Sequence, residues 1–458
     1  MTKIISRREA LKDIIYVGVG LASAGTLLQA CGPREGGNAA PDTPFIPMPD
    51  APEGSRIDSR DWAGLGSLGM LGLGCMRLPS RPRSAGGGLD QDAVNEMVDY
   101  ALAHGINYFD TAPIYGESEV VMGHALSRHP RESYLLATKM STMNDPNPTV
   151  ESAKRMFETS MKNLQVDYFD YYLLHNVSSE AGFEKRFASN GVMDYILGLK
   201  AEGKIRHLGV SFHGSNSDLP KLLEKYPWEF VQIQLNYVDW KYFTATWDQP
   251  EDECSSEALY NILAERNIPV IVLEPVKGGA LASVSDALRD RMRERHPALS
   301  PAGNALSFAG SLPGVMVTLS GMSNMQQLRE NVALFTDFKP FDKDDMAFME
   351  EMADLYKANT HVPCTACSYC MPCPNGVDIP GNFKVFNVTS DELSIPDPEV
   401  KDKDYKRKRK VFLKRYKELG EAVADACIDC NACLPKCPQR IRIPQQLHMI
   451  SGLVESLG

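Results

Sequence analysis

Eight of the eleven cysteines lie in two short runs near the C-terminus, and their spacing suits metal binding. The first run is Cys364-x2-Cys367-x2-Cys370-x2-Cys373-Pro374. The second run is Cys427-x2-Cys430-x2-Cys433-x3-Cys437-Pro438. Four thiolates so close together can hold an iron–sulfur cluster or a zinc ion, and in an oxidising compartment they can form disulfides. Zinc and disulfides do not explain why both runs end in proline, so iron–sulfur binding is the favoured interpretation.

The two runs are similar to the cysteine run of bacterial ferredoxins, although the first is one residue short in its last spacing. In two-cluster ferredoxins the fourth cysteine of each run binds the other cluster. The resemblance therefore implies two [4Fe-4S] clusters in a mainly helical, ferredoxin-like domain. It assigns one cluster to Cys364, Cys367, Cys370 and Cys437, and the other to Cys427, Cys430, Cys433 and Cys373.

A second set of reactive side chains lies in the middle of the chain and consists of Asp110, Tyr115, Lys139 and His175. A tyrosine hydroxyl has a pKa of about 10 and is a poor acid–base group at neutral pH unless a nearby cation lowers that pKa. Lys139 could supply the cation, and Asp110 could keep a buried lysine charged. Each residue alone could be a structural polar group, but the four together indicate catalysis.

A barrel of parallel strands would bring these four residues together. Between about residues 67 and 336, short apolar runs alternate with longer amphipathic ones, as in repeated strand–helix units. The predicted strands are Leu71–Met76, Asn107–Asp110, Tyr134–Thr138, Tyr168–Leu174, Ile205–Ser211, Phe230–Leu235, Pro269–Glu274 and Val315–Ser320. Predicted helices include Asp90–His104, Thr149–Leu164 and Glu257–Arg266. Enzymes with such barrels place their catalytic side chains at the carboxyl ends of the strands, where Asp110, Lys139 and His175 occur.

The order and spacing of these residues resemble the catalytic tetrad of aldo/keto reductases. The matching segments are Phe109-Asp110-Thr111-Ala112, Tyr115-Gly116, Ser118-Glu119, Ala137-Thr138-Lys139 and Leu173-Leu174-His175. The resemblance covers the middle of the chain and implies an α/β fold, a (β/α)8 TIM barrel. It also implies that Tyr115 protonates the carbonyl oxygen of a substrate and that His175 orients that substrate. Lys139 and Asp110 would tune the tyrosine.

The same resemblance implies a nicotinamide cofactor. Ser211 and Gln232 match the positions that bind the carboxamide, although Phe212 stands where asparagine is usual. Lys277 and Gly278 match the loop over the pyrophosphate, where glycine allows the backbone close to phosphate and lysine adds charge.

The adenosine site would follow the last strand, at Ser323, Gln327 and Asn331. Relatives specific for NADPH carry a lysine and an arginine in this region, but the corresponding residues here are Gly321 and Gln327. Family habit favours NADPH, and NADH is the alternative.

The N-terminal region predicts export. Basic residues precede the uncharged stretch Ile14–Leu28, which is too short to span a bilayer comfortably and is typical of a signal peptide. Ser6–Lys12 resembles the twin-arginine export signal, and Leu28–Cys31 resembles a lipobox. We therefore expect a periplasmic or cell-envelope protein that is anchored to a membrane through a lipid on Cys31.

The length of 458 residues predicts two or three folded units. Residues 1–31 are predicted to be the signal peptide and 32–59 a flexible tether rich in Pro, Gly, Asp and Ala. The barrel is predicted over 60–345 and the iron–sulfur domain over 346–458. The net charge of −11 argues against a nucleic-acid partner. The basic segment Tyr405–Lys417 predicts a solvated helix face, or else a docking surface for an acidic redox partner protein.

These features predict an exported oxidoreductase that transfers a hydride between NAD(P)H and a small carbonyl or alcohol substrate. An exported location favours sugars and related polyols as substrates. Hydride transfer moves two electrons at once, whereas the clusters pass one at a time, and the sequence shows no flavin signature to convert between them. The alternative is a membrane-tethered electron-transfer or binding module whose barrel no longer uses nicotinamide.

Overall fold

The computed structural model of the chain describes residues 50–81, 87–142, 145, 147–241, 254–358, 362–439 and 441–458. The described residues belong to one compact unit, Pro47–Gly458. The predicted signal peptide, the lipobox with Cys31 and most of the predicted tether lie outside the described residues, so export and lipidation stay predictions. Within the described part of the chain, no helix combines the length and the apolar character needed to cross a bilayer.

Eight parallel strands form a closed barrel, and two further strands form a hairpin. The strands are β1 (Ser59–Trp62), β2 (Gly66–Gly69), β3 (Leu71–Gly74), β4 (Tyr108–Asp110), β5 (Leu135–Met140), β6 (Phe169–Val177), β7 (Ile205–Phe212), β8 (Val231–Gln234), β9 (Val270–Leu273) and β10 (Val315–Ser320). Strands β3 to β10 pair in sequence order, and β10 closes the barrel by pairing with both β3 and β9. All eight predicted strands are present, which confirms the predicted (β/α)8 barrel.

Helices cover the outside of the barrel and build most of the C-terminal domain. They are α1 (Gln91–Ala103), α2 (Ser118–Leu126), α3 (Val150–Leu164), α4 (Glu180–Phe183), α5 (Val192–Ala201), α6 (Asp218–Leu223), α7 (Ser256–Glu265), α8 (Asp286–Arg295), α9 (Pro301–Gly310), α10 (Met325–Phe335), α11 (Lys343–Ala358), α12 (Ile379–Leu393), α13 (Tyr405–Lys417) and α14 (Ile443–Leu457). The strands of the barrel are buried on both faces because these helices cover them, which explains their continuous apolar sequences.

Helix α3 shows how local sequence sets an element that leads into the site. Its first turn is a capping box, in which the Thr149 side chain accepts a hydrogen bond from the Ser152 N–H and the Ser152 side chain accepts one from the Thr149 N–H. Phe157 and Leu164, two turns apart, face the core. Gln165 then adopts a left-handed conformation with φ of 57°, which ends the helix before β6.

The hairpin of β1 and β2 was not predicted, because neither strand has the apolar run that marks the barrel strands. Leu65 and Leu68 of this hairpin pack with the residues that fill the barrel interior, such as Tyr108 and Tyr171. The Tyr171 hydroxyl donates a hydrogen bond of 2.7 Å to the Leu65 carbonyl oxygen. The hairpin therefore helps to fill the barrel core.

The C-terminal domain has a core of its own. Phe383, Phe386 and Phe412 belong to this core, which is separate from the barrel core, and three helices (α12, α13 and α14) surround it. The predicted boundary at 345/346 falls inside α11, whose Met349 and Met352 pack in the barrel core. The barrel part therefore continues through α11, because the apolar face of that helix is used by the barrel.

Candidate functional site

The four predicted catalytic residues meet at one end of the barrel. Asp110 ends β4, Lys139 lies near the end of β5, and His175 lies in β6. Tyr115 lies in the loop between β4 and α2. The Tyr115 and His175 rings pack edge to face with their centroids 5.9 Å apart, and Lys139 Nζ lies 5.1 Å from the Tyr115 ring centroid. The structure thus brings together all four residues.

A buried hydrogen-bond network holds the charged pair. Lys139 Nζ donates to Asp110 Oδ1 and, over 2.8 Å, to the Thr111 carbonyl oxygen. Gln232 Nε2 donates over 3.0 Å to the other Asp110 oxygen. Because Lys139 and Asp110 are both almost fully buried, each charge needs the other to offset its loss of hydration. The network therefore places a compensated ammonium group beside Tyr115.

The environment of Tyr115 keeps its hydroxyl protonated, as a proton donor requires. Burial raises the pKa of Tyr115 above its ordinary value, the Asp110 carboxylate adds to that rise, and a hydrogen bond with Tyr369 opposes it. The sequence predicts that Lys139 lowers this pKa, but in the structure burial prevails because a tyrosinate would lose its hydration. Tyr115 therefore carries its proton at neutral pH and can give it to a carbonyl oxygen.

His175 is a neutral hydrogen-bonding group in this site. Burial lowers the pKa of His175 well below its ordinary value, and the charges of Lys139 and Arg186 lower it further. Its Nδ1 lies 2.9 Å from Ser141 Oγ, which orients the ring. A neutral imidazole can orient a substrate oxygen without adding charge.

One cavity joins the catalytic residues to the predicted cofactor positions. Asp110, Tyr115 and His175 line it, and the predicted cofactor residues that also line it are Ser211, Gln232, Gly278, Ser323, Gln327 and Asn331. Its volume of about 360 Å³ lies within the range of roughly 300–1,000 Å³ that is common for ligand sites. The hydroxyl groups, amides and glycine backbone in its wall fit the carboxamide and phosphate groups of a nicotinamide cofactor.

Lys277 is the one predicted cofactor residue outside the lining of this cavity. Its Nζ donates to Asp239 Oδ2 over 2.5 Å and lies 3.4 Å from Gln439 Oε1. Lys277 and Asp239 are almost fully buried, so their ion pair compensates two charges in the interior. A contact between Lys277 and a pyrophosphate stays a prediction, and it would require the lysine to leave Asp239.

Arg77, which the sequence reasoning missed, is the one lysine or arginine among the described residues that line the cavity. It lies in the turn after β3, and its side chain passes 3.5 Å from the position that a Cβ on Gly321 would occupy. Its Nη2 lies 3.0 Å from the corresponding position at Gly278. Arg77 therefore lies between the two loops predicted to bind the pyrophosphate and the adenosine.

Glu274 adds an acidic group to the cavity wall. Burial raises the pKa of Glu274 to about 7, although the Lys277 ammonium opposes the rise. This rise favours the uncharged carboxyl more than in an ordinary glutamate, which limits its repulsion of an anionic ligand.

The eight C-terminal cysteines form two groups. Burial raises the pKa of the Cys370 and Cys437 thiols, and the nearby thiols of Cys364 and Cys367 raise it further. Likewise, the Cys433 thiol interacts with those of Cys427, Cys430 and Cys373. These are the two sets that the ferredoxin resemblance implies. None of the described cysteines forms a disulfide, and each set of four soft thiolate donors fits an iron–sulfur cluster.

The iron–sulfur domain also forms part of the wall of the cavity. Cys367, Tyr369 and Pro438 line the cavity together with the barrel residues. No local pattern could have predicted this contact, because it depends on how the two parts of the chain pack against each other.

Family models match both parts of the chain. The model of the aldo/keto reductase family matches residues 70–354, which is more than half of the chain. The model of the 4Fe-4S dicluster domain matches residues 363–441, which include both cysteine runs.

Curated relatives and solved structures match the barrel part. The chain is 26% identical to an uncharacterized oxidoreductase, YqkF, of Bacillus subtilis, over 63% of this chain and 94% of the relative. It is also 26% identical to the NADH-specific methylglyoxal reductase of Escherichia coli, over 63% and 95% of the two chains. An aldo-keto reductase from Klebsiella pneumoniae, solved in complex with NADPH, superposes with a TM-score of 0.50 at 20% identity, over 66% and 95%. This last likeness shows the fold alone.

Proposed function

Because this chain belongs to the aldo/keto reductase family and carries a 4Fe-4S dicluster domain, we propose that it transfers a hydride between a nicotinamide cofactor and a carbonyl or alcohol substrate. One observation carries the proposal: Tyr115 and His175 line the same cavity as six of the predicted cofactor residues.

The side chains of the cavity have separate tasks. NAD(P)H, when bound, supplies the hydride. Tyr115 donates a proton to the substrate oxygen, and the ammonium of Lys139 offsets the negative charge that develops on the phenol. Asp110 holds Lys139 in place. His175 orients the substrate oxygen.

The choice of cofactor is between NADPH and NADH. The positions where NADPH-specific relatives carry cations are Gly321 and Gln327, and the Escherichia coli relative is named as NADH-specific. Family habit still favours NADPH, so the proposal includes both.

The iron–sulfur part of the proposal assigns one [4Fe-4S] cluster to each group of four cysteines. Cys430 is exposed whereas Cys370 is buried, so the second group lies nearer the surface. The clusters would supply single electrons to a partner protein or brace the fold. Delivery by the twin-arginine route to the periplasm or cell envelope, a lipid anchor on Cys31, and sugar-related substrates belong to the same proposal, and their support is the sequence alone.

A second candidate function is supported by the ion pair of Lys277 with Asp239. Lys277 is the loop lysine that the resemblance implies for phosphate binding, and in this pair it is bonded to Asp239 instead. In this second function the chain is a membrane-tethered electron-transfer or binding module, and its barrel binds no nicotinamide.

An anaerobic fluorescence titration of the iron-loaded protein with NADPH and NADH separates the two functions. The primary proposal expects tight binding of at least one cofactor, and the absence of binding to either favours the second.

Activity on a panel of aldehydes, ketones and sugars then tests the catalytic assignment. We expect Tyr115→Phe to lower kcat by about 100-fold or more, since a positioned general acid typically contributes that much, and to leave cofactor affinity unchanged. The matched control is Tyr172→Phe, which removes a barrel hydroxyl that lies outside the cavity lining. Equal activity of Tyr115→Phe and wild type would show that the catalytic assignment is wrong.

A further inference from the structure

The strand that carries His175 is irregular at that residue. Between Leu174 and Val177, β6 has one residue more than the stretch of β7 that it faces, so His175 and Asn176 lie in a bulge. Asn176 has a left-handed conformation with φ of 54°. A bulge bends its strand and disrupts the hydrogen bonds to the neighbouring strand. Buried carbonyl oxygens in such a place need donors from another part of the chain.

Arg186 supplies donors to this bulge. Its Nη2 donates over 2.7 Å to the His175 carbonyl oxygen, and its Nη1 donates over 2.6 Å to the Asn176 carbonyl oxygen. A guanidinium group presents its N–H donors in a rigid, planar fork, which suits two neighbouring acceptors. One side chain therefore holds the carbonyl groups of both bulge residues.

The third bond of Arg186 reaches the segment that orients the His175 ring. Arg186 Nε donates over 2.9 Å to Thr142 Oγ1. Thr142 directly follows Ser141, whose Oγ lies 2.9 Å from His175 Nδ1. Ser141, Thr142 and His175 are all almost fully buried. Arg186 thus holds the backbone of His175 and also the neighbour of the residue that bonds its imidazole.

The local structure around Arg186 is unusual as well. Arg186 lies in a turn of π-helix, Glu184–Ala188, that directly follows α4. Turns of this kind are rare and occur frequently at functional sites. The Glu184 carboxylate pairs with Lys225 Nζ over 3.0 Å, whereas the three acceptors of Arg186 are neutral oxygens. The Arg186 fork therefore holds backbone and hydroxyl oxygens next to a catalytic residue.

We propose that Arg186 is a positioning residue for the barrel reaction, which fixes the His175 imidazole where it meets the oxygen of the substrate. Arg186 does not line the cavity, so it acts through His175. The inference rests on the proposed function, and it adds a residue outside the four that the resemblance implies.

Arg186→Met tests this role because it removes the three donors and keeps most of the aliphatic stem. The assay uses iron-loaded protein, 4-nitrobenzaldehyde as the probe substrate, and whichever of NADPH and NADH the wild type binds more tightly. We expect kcat to fall about tenfold or more, because a small displacement of an orienting group is costly. Cofactor affinity and iron content should stay at their wild-type values. An unchanged kcat, or an equal loss of cofactor affinity, would overturn the proposal.

Lys185→Met is the matched control within the same turn. Lys185 directly precedes Arg186 and is exposed. Its replacement removes one positive charge from the turn but none of the bonds to the bulge, so kcat should stay at the wild-type value. An equal fall of kcat in both variants would contradict the proposal, because the charge of the turn would then matter and the fork would not.

Thr142→Val keeps the proposal testable if Arg186→Met does not fold. It preserves the shape of the side chain and removes only the acceptor of Arg186 Nε. We expect a lower kcat than in wild type and an unchanged cofactor affinity. A wild-type kcat in this variant would overturn the proposal.

A further measurement does not depend on turnover. If the wild-type protein reduces no aldehyde, the proposed hydride transfer fails, and the hold of Arg186 on His175 is then tested by crystal structures of the wild type and of Arg186→Met or Thr142→Val. We expect the His175 imidazole of the variant to lie beyond hydrogen-bond distance of Ser141 Oγ. An imidazole in the same position in both proteins would overturn the inference.

Discussion

Arg77 is the residue best placed to meet the negative charge of a dinucleotide. Its guanidinium lies close to Gly278 and its methylene groups close to Gly321, and it is part of the cavity wall. Guanidinium groups bind phosphate oxygens through charge-assisted hydrogen bonds. Lys277 is paired with Asp239 and does not line the cavity, whereas Arg77 does line it and has other N–H groups besides the Nη2 that donates to the Thr365 carbonyl oxygen, so we expect Arg77 to carry most of this interaction.

We therefore expect Arg77→Met to weaken the binding of NADH and NADPH by about tenfold or more. A hydrogen bond to a charged group contributes about 1.5–3 kcal/mol, and about 1.4 kcal/mol corresponds to a factor of ten in the dissociation constant. Fluorescence titration measures the change. Arg81→Met is the control, because Arg81 is exposed and lies outside the cavity lining. If Arg77→Met binds both cofactors as well as wild type does, the phosphate lies elsewhere.

Several site residues could be predicted from local sequence, and others could not. Asp110, Lys139 and His175 were found because each lies at or near the carboxyl end of an apolar strand. Arg77 meets the same criterion, since it directly follows the first predicted strand, and it was missed because the family motif does not include it. Tyr369 could not be found, because its place in the cavity wall depends on how the iron–sulfur domain packs against the barrel.

At the scale of elements, the loop after β9 and the loop of the first cluster cysteines pack directly against each other. Gly278 has a φ of 65°, and a Cβ there would lie 2.7 Å from both the Cβ and the carbonyl oxygen of Thr365. The neighbouring Gly279 has a φ of 99°, but a Cβ there would meet nothing within 4 Å. Both glycines have a positive φ, but only at Gly278 would an added Cβ touch a neighbouring residue.

This difference allows a matched comparison. Gly278→Ala should lower the free energy of unfolding by about 1–3 kcal/mol more than Gly279→Ala, which is the usual cost of overpacking, because only Gly278→Ala pushes the cluster loop from the barrel. It should also reduce the iron bound per chain. Thermal unfolding and iron analysis measure these effects. Equal stability and iron content of the two variants would mean that Thr365 moves away from the added Cβ without lowering the free energy of unfolding.

The strands of the barrel were easier to predict than its other elements for a physical reason. Strands β3 to β10 are buried on both faces, so each reads as a short apolar run, and helices such as α1 and α3 carry clear caps. The hairpin of β1 and β2 has no such run, because it buries only part of its surface. The packing of α11 against the barrel is not readable from the sequence, because an amphipathic helix does not reveal which neighbour its apolar face will cover.

At the scale of the whole molecule, the barrel and the iron–sulfur domain have separate hydrophobic cores, and residues of both line one cavity. The small core of the iron–sulfur domain contains or contacts most of the cluster cysteines, so that bound metal would contribute strongly to its stability. The barrel core has no such dependence, because it consists of strands and their covering helices.

Removal of iron should therefore affect the two parts differently. After treatment with ferricyanide and EDTA, we expect limited proteolysis to cut first within residues 362–458, while the circular dichroism of the barrel persists. NADH affinity should fall, because Cys367, Tyr369 and Pro438 no longer complete the cavity. Reconstitution with iron and sulfide should restore both properties. Unchanged proteolysis and NADH affinity in iron-free protein would show that the domain is held by its apolar core alone.

Because the iron–sulfur domain forms part of the cavity wall, the loading of iron also determines when that cavity is complete. A newly synthesised chain that has not yet received iron would possess every barrel residue of the tetrad, but the loop that carries Cys367 and Tyr369 would have no metal to hold it. Such a chain would have an incomplete cavity wall until its clusters are bound.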